Sequence, residues 1–197
     1  MREVELKAVV DSMPDRMANV ERAGGRLVFR GRLQDCRYDT ADPQLRLPGD
    51  VLRLRVYRDE RSVRAELGWK GPTRYEDGYK VRDEIGARSP DADALRQILD
   101  RMGFVVTREI DRDISQYELN GATVRFERYP RMDDLVEVEG DPGAIERAID
   151  AIGLPREAFT SERLFDFVRR WQERTGEAAA LCDRELSGEH PYALEDV

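Results

Sequence analysis

The segment from Arg2 to Val10 alternates without a break, Val4, Leu6 and Ala8 falling on one side and Glu3, Glu5 and Lys7 on the other, which is the period-two signature of a β-strand. The pattern recurs down the chain. Val51 to Tyr57 opposes Leu52, Leu54 and Val56 to Arg53 and Arg55; later stretches place Glu66 and Lys70, then Lys80, Arg82 and Glu84, then Arg125 and Glu127, then Glu137 and Glu139 on their polar sides. A half-exposed antiparallel sheet also turns charges to water. If the apolar faces pack against helices, however, the charged faces must share the opposite side, and a sheet curled into a barrel encloses them. Burying unpaired ions costs several kcal/mol each. Such a lumen is tolerable when its acids and bases pair with one another, coordinate metal or await a charged ligand.

Punctuation along the chain places the other elements. Asp11 and Ser12 as caps, Pro14 in a first turn and Gly24-Gly25 as a stop predict a helix over Met13 to Ala23. Strands are expected near Leu27–Tyr38, Val63–Lys70 and Tyr79–Ile85, the last two separated by a Gly71-Pro72 turn and a polar loop ending at Asp77-Gly78. A second helix runs from Ser89-Pro90 to Gly103. Strands near Val105–Tyr117, Ala122–Arg128 and Leu135–Glu139 follow, with Asn120-Gly121 a hairpin signal. Asp141-Pro142 and Gly153 bracket a third helix, and Thr160 or Ser161 to Arg174 a fourth, whose Leu164, Phe165, Phe167, Val168 and Trp171 suit a core, a lid over one barrel mouth or the pairing of two copies into a homodimer. The expected architecture is α+β: eight antiparallel strands with helices outside, one domain over residues 1–175, and an acidic, mobile tail over 176–197.

Composition narrows the function. At 38% the charged content is well above the roughly 25% of ordinary domains. The net charge of −8 argues against general nucleic-acid binding, while leaving room for a local anion site. Hydrophobic runs fall short of the roughly 20 residues of a membrane helix, and the N-terminus enters a strand pattern directly instead of a signal peptide, so a cytoplasmic protein is expected. Cys36 and Cys182 suggest neither disulfides nor zinc, and His190 stands alone. Of the 33 basic residues only Lys7, Lys70 and Lys80 are lysine. Where lysine survives so strong a bias toward arginine, either a compact ammonium is required or the residue is retained by chance.

Glu3-Val4-Glu5-Leu6-Lys7 resembles the ExExK signature that opens the CYTH superfamily, the triphosphate tunnel enzymes that include class IV adenylyl cyclases and thiamine triphosphatases. It is followed in order by Tyr38-Asp39-Thr40, Leu52-Arg53-Leu54-Arg55, Trp69-Lys70-Gly71-Pro72, Arg82 and Glu84, Arg112, Glu127 and Val136-Glu137-Val138-Glu139-Gly140. The resemblance covers about residues 1 to 155. It implies an eight-stranded antiparallel tunnel in which Glu3, Glu5, Glu127, Glu137 and Glu139 bind Mg²⁺ or Mn²⁺. Lys7, Arg53, Arg55, Lys70, Arg82, Arg112 and Arg125 then bind the triphosphate, and Lys7 or Glu5 orients the nucleophile; Lys80, on the same strand face as Arg82 and Glu84, either joins the substrate-binding set or sits at the strand end. This chain departs from the family in carrying Arg37 where an aromatic usually precedes the Tyr-Asp-Thr, Glu127 where Asp is common, and Ile110 in place of a second base before Arg112.

The substrates implied are small triphosphates: ATP, thiamine triphosphate or tripolyphosphate. Attack by water makes the chain a triphosphatase, and attack by a ribose 3′-oxygen makes it a cyclase yielding cyclic AMP and pyrophosphate. A noncatalytic nucleotide- or polyphosphate-binding module is the competing reading. Carboxylates at both Glu3/Glu5 and Glu137/Glu139 weigh against it, because phosphate binding alone wants fewer acids.

Overall fold

The computed structural model describes residues 2–42 and 44–192. In chain order the elements are β1 (Arg2–Val9), α1 (Met13–Arg22), β2 (Arg26–Thr40), β3 (Val51–Arg58), β4 (Val63–Lys70), β5 (Arg74–Glu76), β6 (Tyr79–Ser89), α2 (Ala92–Arg101), β7 (Phe104–Leu119), β8 (Ala122–Arg128), β9 (Leu135–Glu139), α3 (Pro142–Ile152), a 3₁₀ turn (Arg156–Ala158), α4 (Leu164–Thr175) and α5 (Asp183–Leu186). The strands run β1-β9-β8-β7-β2-β3-β4-β6, every pair is antiparallel, and β1 returns to β6, so eight strands close into a barrel. The short β5 hairpins onto β6 outside this circuit; it falls in the stretch expected to be a polar loop. No helix of the described residues is long and apolar enough to cross a membrane.

Closure follows from where the apolar faces go. Helix α3 buries Ala144, Ile145, Ala148, Ile149 and Ile152 in one cluster with Val4, Leu6, Val124, Phe126, Val136 and Val138, the outward side chains of β1, β8 and β9, and α1 adds Met13 and Val20. Asp141 caps α3 by accepting from the Ala144 N–H, and Gly153 ends it at φ 76°, a conformation glycine adopts without strain. On the other side α2, capped by Asp91, packs Ala92 and Leu99 on Tyr38, Leu54, Val56 and Ala65. It begins at Ala92, three residues after Ser89, because the chain continues as β6 to that point. With both pads on the outside, the ionic faces are left inside.

The lumen is not ionic throughout. Phe29, Leu33, Tyr57 and Ile114, on the inward faces of β2, β3 and β7, form a separate apolar cluster, with the Arg64 guanidinium 4.2 Å from the Tyr57 ring and 5.3 Å from the Phe29 ring. Elsewhere Ile110, Tyr129 and Leu135 are covered by Phe167 and Val168 of α4 and by Leu181. Helix α4 starts at Leu164, four residues after Thr160, which instead pairs with Lys7 at the edge of β1. Where an acidic tail was expected to trail away, residues 178–192 are seated on the barrel: Arg131 pairs with Ala180, the Asp111 N–H donates to the Leu181 carbonyl at 2.7 Å, and Ala180, Leu181 and Cys182 are buried. The final residues, 193–197, lie outside the described residues.

Candidate functional site

A cavity of about 700 Å³ occupies the barrel. Among the described residues ten cationic side chains and six carboxylates line it, an excess of positive charge that favours an anion. All three lysines of the chain are in this lining, so the sites that kept an ammonium against the arginine bias are cavity sites. Of the residues singled out from the sequence, Glu5, Lys7, Arg53, Lys70, Lys80, Arg82, Arg112, Arg125, Glu127 and Glu137 line the cavity. Glu3 and Arg55 are buried beside it, and Glu139 is half-buried at the end of β9.

Register explains the convergence. Across β1 and β9, Lys7 stands opposite Glu137 and Glu5 opposite Glu139; across β1 and β6, Glu3 meets Arg82 and Glu5 meets Lys80; across β8 and β9, Arg125 meets Glu137. Lys7 Nζ lies 2.7 Å from Glu5 and 2.5 Å from Glu137, while Lys80 reaches Glu5 at 2.6 Å. Lys70 pairs with Glu3 and stands 3.5 Å from Glu84, which also receives Arg53 and Arg55 at 3.2 Å. Arg55 binds Glu66 at 2.6 Å, Arg125 pairs with Glu137, and Arg112 Nε donates to Glu127 at 2.9 Å. Arg82 spends its donors on main chain, on Gly71 O at 2.6 Å and Gly49 O at 3.0 Å, and so pins the loops at the cavity edge.

These pairings set the protonation states. Burial alone would raise Glu5, yet Lys7, Lys80 and Lys70 hold it well below the usual carboxylate range. Burial likewise opposes Glu137, but Arg125 and Lys7 bring it down to about 2. Lys7 is raised against its own burial by Glu137 and Glu5, so it keeps its proton. Lys70 and Lys80 are lowered, first by burial; for Lys70 the Arg53 charge adds to it. Glu139 goes the other way: burial, then Glu3, push it up to about 7.

Sequence reasoning passed over Asp35 and Tyr129 and noted Arg37 only as a departure from the family pattern; all three line the cavity. Asp35 is buried with Oδ2 3.7 Å from both Arg53 Nη1 and Arg112 Nη2, and those two arginines outweigh burial to lower its pKa. Leu33, Asp35, Arg37 and Asp39 do alternate, but Gln34 and Cys36 on the other side of β2 blur the contrast that marked the other strands. Asp35 Oδ1, Arg53 Nε, Arg55 Nε, Arg112 Nη1 and Arg125 Nε are buried without hydrogen-bond partners. Each such group costs about 1–3 kcal/mol, a cost that a ligand carrying complementary atoms would relieve.

Among the described residues no three carboxylates converge on one point as a preformed metal cage. Glu3 and Glu139 do face each other closely enough for one to raise the other's pKa, and among the described residues Glu139 forms no ion pair. Two such acids suit a hard cation of the magnesium kind, which keeps several waters and takes one or two carboxylates together with phosphate oxygens.

No protein-family model matches the sequence, and no curated protein matches it. Solved structures do. A proposed adenylate cyclase from Vibrio parahaemolyticus superposes with a TM-score of 0.70 at 18% identity, covering 85% of this chain and 97% of that one. The PH1819 protein of Pyrococcus horikoshii superposes with 0.69 at 20% identity, covering 85% and 98%. A proposed adenylyl cyclase from Hippeastrum, described as having a dominant triphosphatase activity, superposes with 0.58 at 15% identity, covering 91% and 98%. At these identities the likeness establishes the fold, and it is the tunnel barrel that the ExExK resemblance implies.

Proposed function

We propose that this chain is a divalent-metal-dependent enzyme acting on small triphosphates held inside the barrel. One observation carries the reading: the enclosed cavity gathers every lysine of the chain with seven arginines and six carboxylates on its walls, among the described residues. A triphosphate presents several anionic oxygens to such a surface, and Arg forks and Lys point charges neutralise them. The barrel shared with a cyclase-named protein and with one named for triphosphatase activity supports the same class.

In this reading Arg53, Arg112 and Arg125, all on the cavity wall, neutralise the phosphates, and Lys70 and Lys80 supply ammonium contacts. Lys7, held protonated between Glu5 and Glu137, stays a fixed positive charge near the reacting phosphoryl and orients the attacking oxygen together with Glu5. Glu3 and Glu139 would hold Mg²⁺ or Mn²⁺, Glu5 and Glu137 being taken up by Lys7, Lys80 and Arg125. That ion supplies Lewis-acid neutralisation of phosphate charge and a more acidic attacking oxygen. Most of the acceleration then comes from positioning and charge, as in phosphoryl transfer generally.

Incubation with ATP, thiamine triphosphate or tripolyphosphate in Mg²⁺ or Mn²⁺, followed by product identification, tests this. Orthophosphate identifies a triphosphatase, and cyclic AMP with pyrophosphate identifies a cyclase. Tight binding of all three without any product would replace the enzyme reading with a binding module.

A further inference from the structure

We infer that Glu127, held by Tyr129, is a positioning residue that aims Arg112 at the anion, and is not a ligand of the divalent cation. The inference rests on the triphosphate reading but reassigns a carboxylate that the family resemblance had placed with the metal.

Both oxygens of Glu127 are already committed. Oε1 accepts from Arg112 Nε at 2.9 Å and has Arg125 Nε at 3.5 Å; Oε2 accepts from the Tyr129 hydroxyl at 2.6 Å. Although Glu127 lines the cavity, the residue is only 1% exposed and both oxygens are taken up within the protein. A cation beside Oε1 would sit against two guanidiniums, where repulsion opposes it. Tyr129 is itself buried, and burial and the Glu127 charge keep its phenol protonated and donating. Glu139 provides the contrast: it forms no ion pair among the described residues, and burial and the facing Glu3 outweigh Arg125 and Lys70, so it is the acid that a metal would relieve.

What the arrangement accomplishes is visible on Arg112. Its Nε is fixed by Glu127, its Nη2 is flanked by Asp35 at 3.7 Å, and its plane lies 5.8 Å from the Tyr129 ring centre. The remaining Nη1 has no partner. A guanidinium clamped on one edge presents the other in a single direction, and pre-setting that direction removes the rotamer entropy a phosphate would otherwise have to overcome. Glu127 is thus the carboxylate that Arg112 and Tyr129 grip together.

The test uses the full chain and two probes, tripolyphosphate alone and Mn²⁺ alone, each titrated calorimetrically. Glu127→Gln is expected to weaken tripolyphosphate binding by about tenfold or more, and Tyr129→Phe, which keeps the buried ring, by roughly threefold to tenfold. Mn²⁺ affinity should stay within about twofold of wild type in both. In an Arg112→Ala background, Glu127→Gln should add nothing further to the loss of tripolyphosphate affinity, because its effect passes through that guanidinium. A general structural role predicts additive losses there, and that result overturns the inference. Loss of Mn²⁺ binding in Glu127→Gln overturns it by making Glu127 a ligand, as does unchanged tripolyphosphate binding in both variants. A wild-type chain that binds Mn²⁺ but no tripolyphosphate removes the triphosphate reading and this inference with it.

Discussion

Lys7 Nζ lies 2.5 Å from Glu137 Oε2, bridging a register pair of β1 and β9 at the cavity wall. The same ammonium contacts Glu5 at 2.7 Å, so one buried positive charge serves two buried carboxylates. Any phosphate that reaches Lys7 must therefore share it with these acids, and a cation arriving with the phosphate restores the balance. In the proposed reading anion and metal would be coupled ligands, each lowering the electrostatic cost of the other.

Removing that charge should be costly in two ways. Lys7→Ala leaves Glu5 and Glu137 short of a partner and is expected to destabilise the fold by about 3–5 kcal/mol, the range for breaking a buried ion pair. It should also abolish turnover of whichever triphosphate the wild type accepts. Lys7→Arg keeps the charge but brings a planar fork to a site that holds a point charge, and should recover stability more than activity. Urea denaturation beside product assays separates the two effects. Full activity in Lys7→Ala would remove Lys7 from the chemistry.

Asp35 gives the opposite sign. It is the carboxylate between Arg53 and Arg112, and Asp35→Asn leaves two buried guanidiniums facing each other without it. The variant should melt lower than wild type when no anion is present. Added tripolyphosphate should then raise its melting temperature by more than it raises that of the wild type, since the ligand supplies the missing negative charge. Equal shifts in thermal unfolding would show that Asp35 does not sense the anion.

How far the sequence foretold this site depended on contrast between strand faces. Val4, Leu6 and Ala8 of β1, Val124 and Phe126 of β8, and Val136 and Val138 of β9 stand opposite the ionic side chains, so Glu5, Lys7, Arg125 and Glu137 were legible at once. β2 packs Gln34 and Cys36 outward, and Asp35 was hidden by that mixture. Arg108 alternates with Ile110 and Arg112 on β7, but the Ile between them breaks the charged pattern. β5 is three exposed residues with no periodicity to read. Among the described residues of the C-terminal stretch the buried apolar positions are Ala180, Leu181 and Cys182, too few to stand out within an acidic segment. The pairing of Glu127 with Tyr129 is a fact of three dimensions that no spacing announced.

The pH dependence of stability should carry the mark of Glu139. Its folded-state pKa is pushed up to about 7 by burial and Glu3, so between its ordinary value and 7 the folded protein holds a proton the unfolded chain has released. Stability therefore falls as pH rises through that window. Glu137, drawn down to about 2, contributes fully above its unfolded value and loses its contribution only as pH falls toward 2, so it adds no slope there. Glu139→Gln should flatten the decline and exceed wild type at pH 8 by on the order of 1–3 kcal/mol. Saturating Mg²⁺ should flatten the wild-type curve as well. Denaturation from pH 5 to 8 checks this, and parallel curves for the two proteins would refute it.

Arg108 and Glu185 make the last case, because they decide whether the C-terminal segment belongs to the fold. Arg108 is 3% exposed and meets Glu185 through two contacts of 3.0 Å, one from each terminal nitrogen, with the Tyr192 ring 4.9 Å away. Glu185 also accepts from the Leu181 N–H at 2.7 Å, so one carboxylate ties α5 both to β7 and to its own anchor. Glu185→Ala strands a buried guanidinium and should cost about 3–5 kcal/mol, whereas Arg108→Met combined with Glu185→Leu removes both charges together and should recover most of that loss. Urea midpoints of the three proteins give the comparison. A Glu185→Ala variant as stable as wild type would mean that the segment is not held where it lies, and that Ile110, Tyr129 and Val168 are covered without it.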